Sequence, residues 1–146
     1  MQRLLIGVIG AIGVAALTAA VRPSTVTRTF DRTTLDSVYT SAQATRGDSI
    51  YRATCVKCHG DKLQGTEADG SPLAGKDFLT NWSGQTLDQL YDKIYTTMPS
   101  DKPKSLAASD VADVMALILS KNDMPAGSVR LSEISDSLKT IKLTAR

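Results

Sequence analysis

The pentapeptide Cys55-Val56-Lys57-Cys58-His59 governs the architecture of this chain, because it contains both cysteines and the only histidine among 146 residues. A single histidine excludes any site that needs two imidazoles, such as a His-x-x-x-His zinc site. Two cysteines and one histidine also leave the fourth ligand of a structural zinc ion unspecified. A thioredoxin-like redox pair requires alternating strands and helices around the motif, and the sequence lacks strand-like alternation of useful length.

The Cys-x-x-Cys-His spacing is the signature of covalent haem attachment. On one helical turn, two cysteines three positions apart face the same side and can bond both vinyl groups of one porphyrin. His59 then points at the iron. We therefore predict one haem c that is covalently attached through Cys55 and Cys58 and ligated by His59. The alternative is a haem-free binding module in which the two cysteines form a disulfide.

The second axial ligand cannot be a histidine, which leaves methionine, lysine or an open position. Met98 and Met124 both precede a proline in loop sequence, whereas Met115 lies on the apolar stripe of a predicted helix and is expected to fill the core. Met98 follows His59 by 39 residues, and the intervening loop and helix can reach the opposite haem face. We predict Met98 as the ligand. The alternative is a five-coordinate haem that binds small ligands.

Hydrophobic periodicity predicts a small all-α domain. Helices are expected at Ser41–Thr54, from an N-cap at Thr86 to Pro99, and from about Ala107 to Lys121. Glycines and a proline between Asp61 and Lys76 predict a loop. Aromatic residues make up only 5% of the chain, which favours a small aliphatic core or a core built around a group that is not protein.

The N-terminus has the features of an export signal. A short positive start with Arg3 precedes an apolar run from Leu4 to Val21, and small alanines crowd its end. We predict a cleaved signal peptide over residues 1–20; an uncleaved segment over residues 1–21 that associates with the membrane is the alternative. In both cases the remainder of the chain is exported.

The composition also limits the partners. The net charge is +2 and the charges form no basic stripe, which argues against nucleic-acid binding.

The predicted organisation comprises the N-terminal segment 1–20, a Thr-rich linker or arm at 21–40, a folded domain at 41–126 and a C-terminal tail at 127–146.

Residues from about Val38 to Gly127 resemble a class I cytochrome c of the small bacterial monohaem kind. The matching stretches are Gln43–Tyr51, the Cys55–His59 motif with Gly60, Pro72–Gly75, Trp82, Thr97–Pro99 and Ala112–Leu119. The resemblance implies a cytochrome c-like fold, in which three to four helices wrap around one covalently attached haem. It also implies Met98 as the axial ligand, a haem-propionate contact at Trp82, and a close crossing of the last helix by Gly47 and Tyr51.

A haem with both axial positions filled has no open site for a substrate, so its remaining chemistry is one-electron transfer. The resemblance therefore implies a periplasmic electron carrier that is not itself an enzyme, or the electron-transfer subunit of an oxidoreductase complex. Its redox partner would be a dehydrogenase or an oxidase. The family often carries an aromatic residue where Leu117 stands, and this departure weakens an expected contact between helices without touching the haem ligands.

Overall fold

The computed structural model describes residues 32–66 and 70–145. The predicted signal peptide at 1–20 and residues 21–31 of the predicted arm lie outside these ranges. The described elements are, in chain order, β1 (Arg32–Thr33), α1 (Ser41–Thr54), α2 (Val56–His59), α3 (Lys76–Trp82), α4 (Leu87–Thr97), α5 (Ala108–Lys121), α6 (Ser135–Leu138) and β2 (Ile141–Lys142).

Helices α1 and α5 cross at the centre of the fold. The first turn of α1 is closed by a capping box, in which the Gln43 N–H donates to Thr40 Oγ1 at 3.3 Å and the Gln43 side chain accepts from the Thr40 N–H. At the crossing, a Cβ atom on Gly47 would lie only 2.0 Å from the backbone oxygen of Asp113. The Asp113 carboxylate accepts two hydrogen bonds from the Arg46 guanidinium, at 2.6 and 2.8 Å. The close helix crossing expected at Gly47 is confirmed.

Helix α5 lies inside the protein rather than on its surface, because all nine residues from 111 to 119 are buried. It begins at Ala108, with the predicted first residue Ala107 serving as its N-cap. Met115 is fully enclosed, so the core role expected for it is confirmed. Leu117 is 3% exposed and belongs to the same core.

Helix α4 has the amphipathic character that the sequence predicts. Thr86 is its N-cap, and the Thr86 N–H donates to the Gln89 side chain at 3.0 Å. The helix ends at Thr97, two residues before Pro99, as the predicted stop requires. Its buried residues follow helical spacing and are Leu87, Leu90, Tyr91 and Ile94.

The segments on either side of the central helices, residues 32–40 and 127–145, pack onto the same body. Strands β1 and β2 pair in parallel and join the two segments. The tail then pairs with the turn between α3 and α4, where the Gly84 N–H donates to the Leu143 carbonyl at 2.9 Å and the Leu143 N–H donates to the Gln85 carbonyl at 2.8 Å. The tail also buries the side chains of Leu131, Leu138, Ile141 and Leu143.

Helix α3 is a feature that the sequence analysis did not predict. It begins at Lys76, where the predicted loop ends, and has only seven residues. Its N-cap is Gly75, which has no side chain to accept a hydrogen bond, so neither periodicity nor a capping signal marks its start. Within residues 32–66 and 70–145, no helix combines the length and apolar character needed to cross a membrane.

Candidate functional site

Cys55, Cys58 and His59 lie on one helical turn, at the junction of α1 and α2. Cys55 is the C-cap of α1, where its N–H donates to the Tyr51 carbonyl at 2.8 Å, and it is also the N-cap of α2. The Cys55 carbonyl accepts from the Cys58 N–H at 3.2 Å and from the His59 N–H at 3.0 Å. Both sulfurs are free thiols on half-buried residues. One turn therefore presents two thiols and an imidazole, the set that covalent haem attachment uses.

The environment of Cys55 differs from that of a redox-active thiol. Burial raises the pKa of the Cys55 thiol above its ordinary value. Redox-active Cys-x-x-Cys motifs have a lowered thiol pKa, which gives them a reactive thiolate. The elements that adjoin the motif, α1 and α2, are both helices. These two observations favour haem attachment over the thioredoxin-like alternative.

A single hydrogen bond fixes the imidazole of His59. Its Nδ1 atom lies 2.8 Å from the Ser71 carbonyl oxygen. Because a carbonyl oxygen only accepts hydrogen bonds, Nδ1 donates to it, and Nε2 is the ring nitrogen that this bond leaves available to a metal. Metal-ligating histidines usually hold their second nitrogen in this way, since the bond sets both the tautomer and the ring orientation.

The loop after the motif is fastened to the back of the same turn. The Gly65 N–H donates to the His59 carbonyl at 2.8 Å, and the Thr66 hydroxyl donates to the Cys58 carbonyl at 2.9 Å. Gly70 presses against the turn so closely that a Cβ atom there would lie 2.0 Å from the Cys58 oxygen. These contacts fix the backbone carbonyls of Cys58 and His59 and do not involve the cysteine thiols.

Tyr51 secures the residue that follows the histidine. Its side chain is 1% exposed, and its hydroxyl donates to the Gly60 carbonyl at 2.5 Å. Gly60 has a φ angle of +76°, a conformation that favours glycine and turns the chain out of α2. Burial raises the pKa of Tyr51 to about 12, so the phenol stays protonated and can donate at neutral pH.

The three methionines in the described residues occupy different environments. Met115 and Met124 are enclosed, at 0% and 4% exposure, and the Met124 carbonyl accepts from the Tyr39 hydroxyl at 2.7 Å. Met98 is half-buried against the core at the C-terminal end of α4, where its N–H donates to the Ile94 carbonyl at 2.9 Å. Met98 is thus the methionine whose side chain the core does not already enclose. Its role as a ligand stays a prediction.

Trp82 ends α3 and is half-buried. It stacks on Phe78, with the ring centroids 6.2 Å apart and an angle of 28° between the planes. Its carbonyl accepts from the Gln85 N–H at 3.0 Å, in the turn that leads to α4. The structure therefore gives the indole a fixed position, and its contact with a haem propionate stays a prediction.

Residues 42–118, slightly more than half of the chain, match the family described as cytochrome c oxidase, cbb3-type, subunit III. The chain belongs to this family. It is accordingly a c-type cytochrome with an all-α, cytochrome c-like fold, and the predicted fold class is confirmed. Covalently attached haem c is its cofactor, and electron transfer is its role.

The solved structure of the sulfane dehydrogenase SoxCD from Paracoccus pantotrophus is similar in fold to this cytochrome. The TM-score is 0.56, and the sequences are 18% identical over 87% of this chain and 67% of that chain. At this level of identity the likeness concerns the fold alone. No match is found among curated proteins.

The residues of this cytochrome fit the cofactor that its family implies. Cys55 and Cys58 supply free thiols on one turn, and His59 supplies Nε2, the ring nitrogen that the Ser71 bond leaves available. The supporting residues Ser71 and Gly70 were not predicted from the sequence. Pro72 was a partial signal, because the residue before a proline favours an extended conformation, but nothing local says which group the Ser71 carbonyl meets.

Proposed function

We propose that this cytochrome is a periplasmic one-electron carrier in which His59 Nε2 and Met98 Sδ are the two axial ligands. In this proposal, Cys55 and Cys58 form thioether bonds to the porphyrin. Haem bound in this way supplies a one-electron couple between ferric and ferrous iron. The observation that carries the proposal is the hydrogen bond from His59 Nδ1 to the Ser71 carbonyl, which orients the ring and leaves Nε2 available to the iron.

Met98 is favoured as the second ligand by its surroundings. Met115 and Met124 are both enclosed, so either would have to leave the core to bind a metal. Met98 is half-buried and follows the last turn of α4, which holds its backbone. Ligation by methionine raises the reduction potential of a haem. With both axial positions filled, substrates and small ligands have no coordination site, and electron transfer is the chemistry that remains.

Two matched substitutions test the ligand. A sulfur–iron bond gives the oxidised protein a weak absorption band near the red end of the visible spectrum. Met98→Leu should abolish this band, whereas Met124→Leu, which also replaces a methionine with an apolar side chain of similar volume, should retain it. Loss of the band in Met124→Leu alone would reverse the assignment.

Carbon monoxide tests the five-coordinate alternative. The reduced wild-type protein should bind carbon monoxide slowly and weakly, because the ligand must first displace Met98. Met98→Leu should bind it faster. Rapid, tight binding by the wild-type protein would instead support a haem protein that binds small ligands. A pyridine haemochrome assay should give one haem per chain, and a value near zero would support the disulfide-bonded alternative.

The location of the protein rests on its N-terminal segment. We infer that the chain is exported to the periplasm, because attached haem c agrees with the signal-like features of residues 1–20. The intact mass of the purified protein tests the cleavage. We expect a mass that lacks about the first 20 residues, and a mass that includes them would support the uncleaved, membrane-associated form.

The redox partner is inferred to be an oxidase or a dehydrogenase. The matched family is named after subunit III of a cbb3-type cytochrome c oxidase, and the similar structure is a sulfane dehydrogenase. Oxygen uptake by membranes that contain a terminal oxidase tests the first possibility. Uptake should rise when the reduced cytochrome is added. If the membranes do not oxidise the reduced cytochrome, a dehydrogenase is favoured as the partner.

A further inference from the structure

Asn122 is a buried polar residue that takes no part in the proposed ligation of the haem. It directly follows α5 and is 8% exposed. Its Nδ2 atom donates to the Ile118 carbonyl at 2.8 Å and to the Leu73 carbonyl at 2.9 Å, while its Oδ1 atom accepts from the Gly75 N–H at 2.9 Å. The bond to Ile118 holds the side chain against its own helix. The other two bonds hold the loop that contains Leu73 and Gly75, which lie 49 and 47 residues before Asn122.

The captured loop contains the carbonyl that orients the haem-binding histidine. Leu73 lies two residues after Ser71, and its N–H donates to the Leu63 carbonyl at 2.8 Å, so both polar groups of its backbone are bonded. Pro72 stands between Leu73 and Ser71 and has a nearly fixed φ angle. A backbone that is fixed at Leu73 and rigid at Pro72 leaves the Ser71 carbonyl little freedom to turn away from His59.

We propose that Asn122 is a positioning residue for the haem, which acts by holding the Ser71 carbonyl against His59 Nδ1. The inference rests on the proposed ligation by His59. A strong hydrogen bond at Nδ1 makes the imidazole a more basic ligand. A more basic ligand stabilises ferric iron relative to ferrous iron. Loosening the Ser71 carbonyl therefore raises the reduction potential.

Gln43 provides a matched control for Asn122. It is also a fully buried amide that joins a helix to a distant loop, because its side chain accepts from the Leu131 N–H at 2.7 Å and donates to the Leu131 carbonyl at 3.0 Å. The loop that it holds belongs to the C-terminal tail rather than to the segment that contains Ser71. Removing either amide leaves backbone groups unpaired and lowers stability. Only the removal of Asn122 should change the haem.

The experiment compares Asn122→Leu and Gln43→Leu in the full chain with attached haem. Asn122→Leu should change the redox equilibrium constant by up to about tenfold toward the reduced form, which corresponds to about 59 mV for a one-electron couple. It should also shift the hyperfine-shifted ring resonances of His59 in the nuclear magnetic resonance spectrum. Gln43→Leu should leave both unchanged. Equal effects of the two variants, or no effect of Asn122→Leu, would overturn the proposal.

A measurement on the wild-type protein covers the case in which Asn122→Leu does not fold. If Asn122 holds the segment as one unit, the His59 Nδ1 proton and the Gly75 amide proton should be protected from hydrogen exchange to a similar degree. A His59 proton that exchanges far faster than the Gly75 amide contradicts the proposal. If the wild-type His59 ring lacks hyperfine shifts, the ligation fails and this inference fails with it. If the wild-type His59 ring shows hyperfine shifts but the reduction potential of Asn122→Leu is unaltered, the role of Asn122 is refuted and the ligation by His59 stands.

Discussion

Replacing Gly47 with alanine should separate the two central helices. The added Cβ atom would lie 2.0 Å from the Asp113 oxygen, 2.6 Å from the Asp113 carbonyl carbon and 3.1 Å from the Val114 nitrogen. Ordinary contact begins at 3.4 Å, so the two backbones must move apart by about 1.4 Å. All three atoms belong to the backbone of α5, and no side-chain rotation can relieve the overlap. The same movement would strain the bidentate bond between Arg46 and Asp113.

The expected loss follows from two opposing terms. Overpacking a tight interior typically costs about 1–3 kcal/mol, and the absence of a flexible neighbour here favours the upper end. Alanine recovers about 1 kcal/mol, because it forms helix better than glycine. We therefore expect Gly47→Ala to lower the free energy of unfolding by about 2 kcal/mol. In a chain of this size, that loss reduces Tm by roughly 4–8 °C.

Guanidinium unfolding of the protein with attached haem measures this loss. The fluorescence of Trp82, the only tryptophan in the sequence, should report the transition, because haem quenches it in the folded state. Ser49→Ala is the control: it places alanine at an exposed position of the same helix and should change stability by less than about 0.5 kcal/mol. A Gly47→Ala protein that is as stable as Ser49→Ala would refute the close crossing.

Two further predictions, the second with a control variant, test other parts of the fold. Tyr51→Phe leaves the Gly60 carbonyl without its donor and should cost about 1–3 kcal/mol in guanidinium unfolding. Folding raises the pKa of Tyr51 from 10.0 to about 12, so the contribution of Tyr51 to the free energy of unfolding is full below pH 10 and is lost as the pH rises to about 12. An ultraviolet titration should find one tyrosine that ionises last, and this tyrosine should be missing in Tyr51→Phe. Leu138→Ala should cost about 2–5 kcal/mol, because its side chain is fully buried, whereas Ile134→Ala, at a position that is 62% exposed, should cost less than about 0.5 kcal/mol. Equal losses in these two variants would indicate that the tail does not pack as described.

Features that depend only on residues close together in the sequence could be predicted. The bounds of α1 agree with the expected Ser41–Thr54, and Thr86 is the N-cap of α4, because helical period and capping each depend on residues within a few positions. The capping box at the start of α1 was equally visible in the spacing of Thr40 and Gln43, although the sequence analysis did not use it. The haem-attachment motif belongs to the same class of signal.

The short and the paired elements could not be predicted. Helix α3 has seven residues and a glycine N-cap, so its hydrophobic pattern is too short to distinguish it from the loop before it. Strands β1 and β2 are two residues long, and each exists only because the other lies beside it. Isolated pairings of this length have no stability of their own, and the packed body must bring them together first.

The amino-acid sequence alone specified the haem-binding turn, the main helices and the need for a second ligand other than histidine. Each of these depends on residue types and on local spacing. The tertiary structure alone supplied the hydrogen bond that orients His59 and the support of that bond, because Ser71 lies 12 residues after the histidine and Asn122 lies 47 residues after Gly75. A hydrogen bond between distant residues forms only after the chain has folded back on itself, and packing decides which groups then meet.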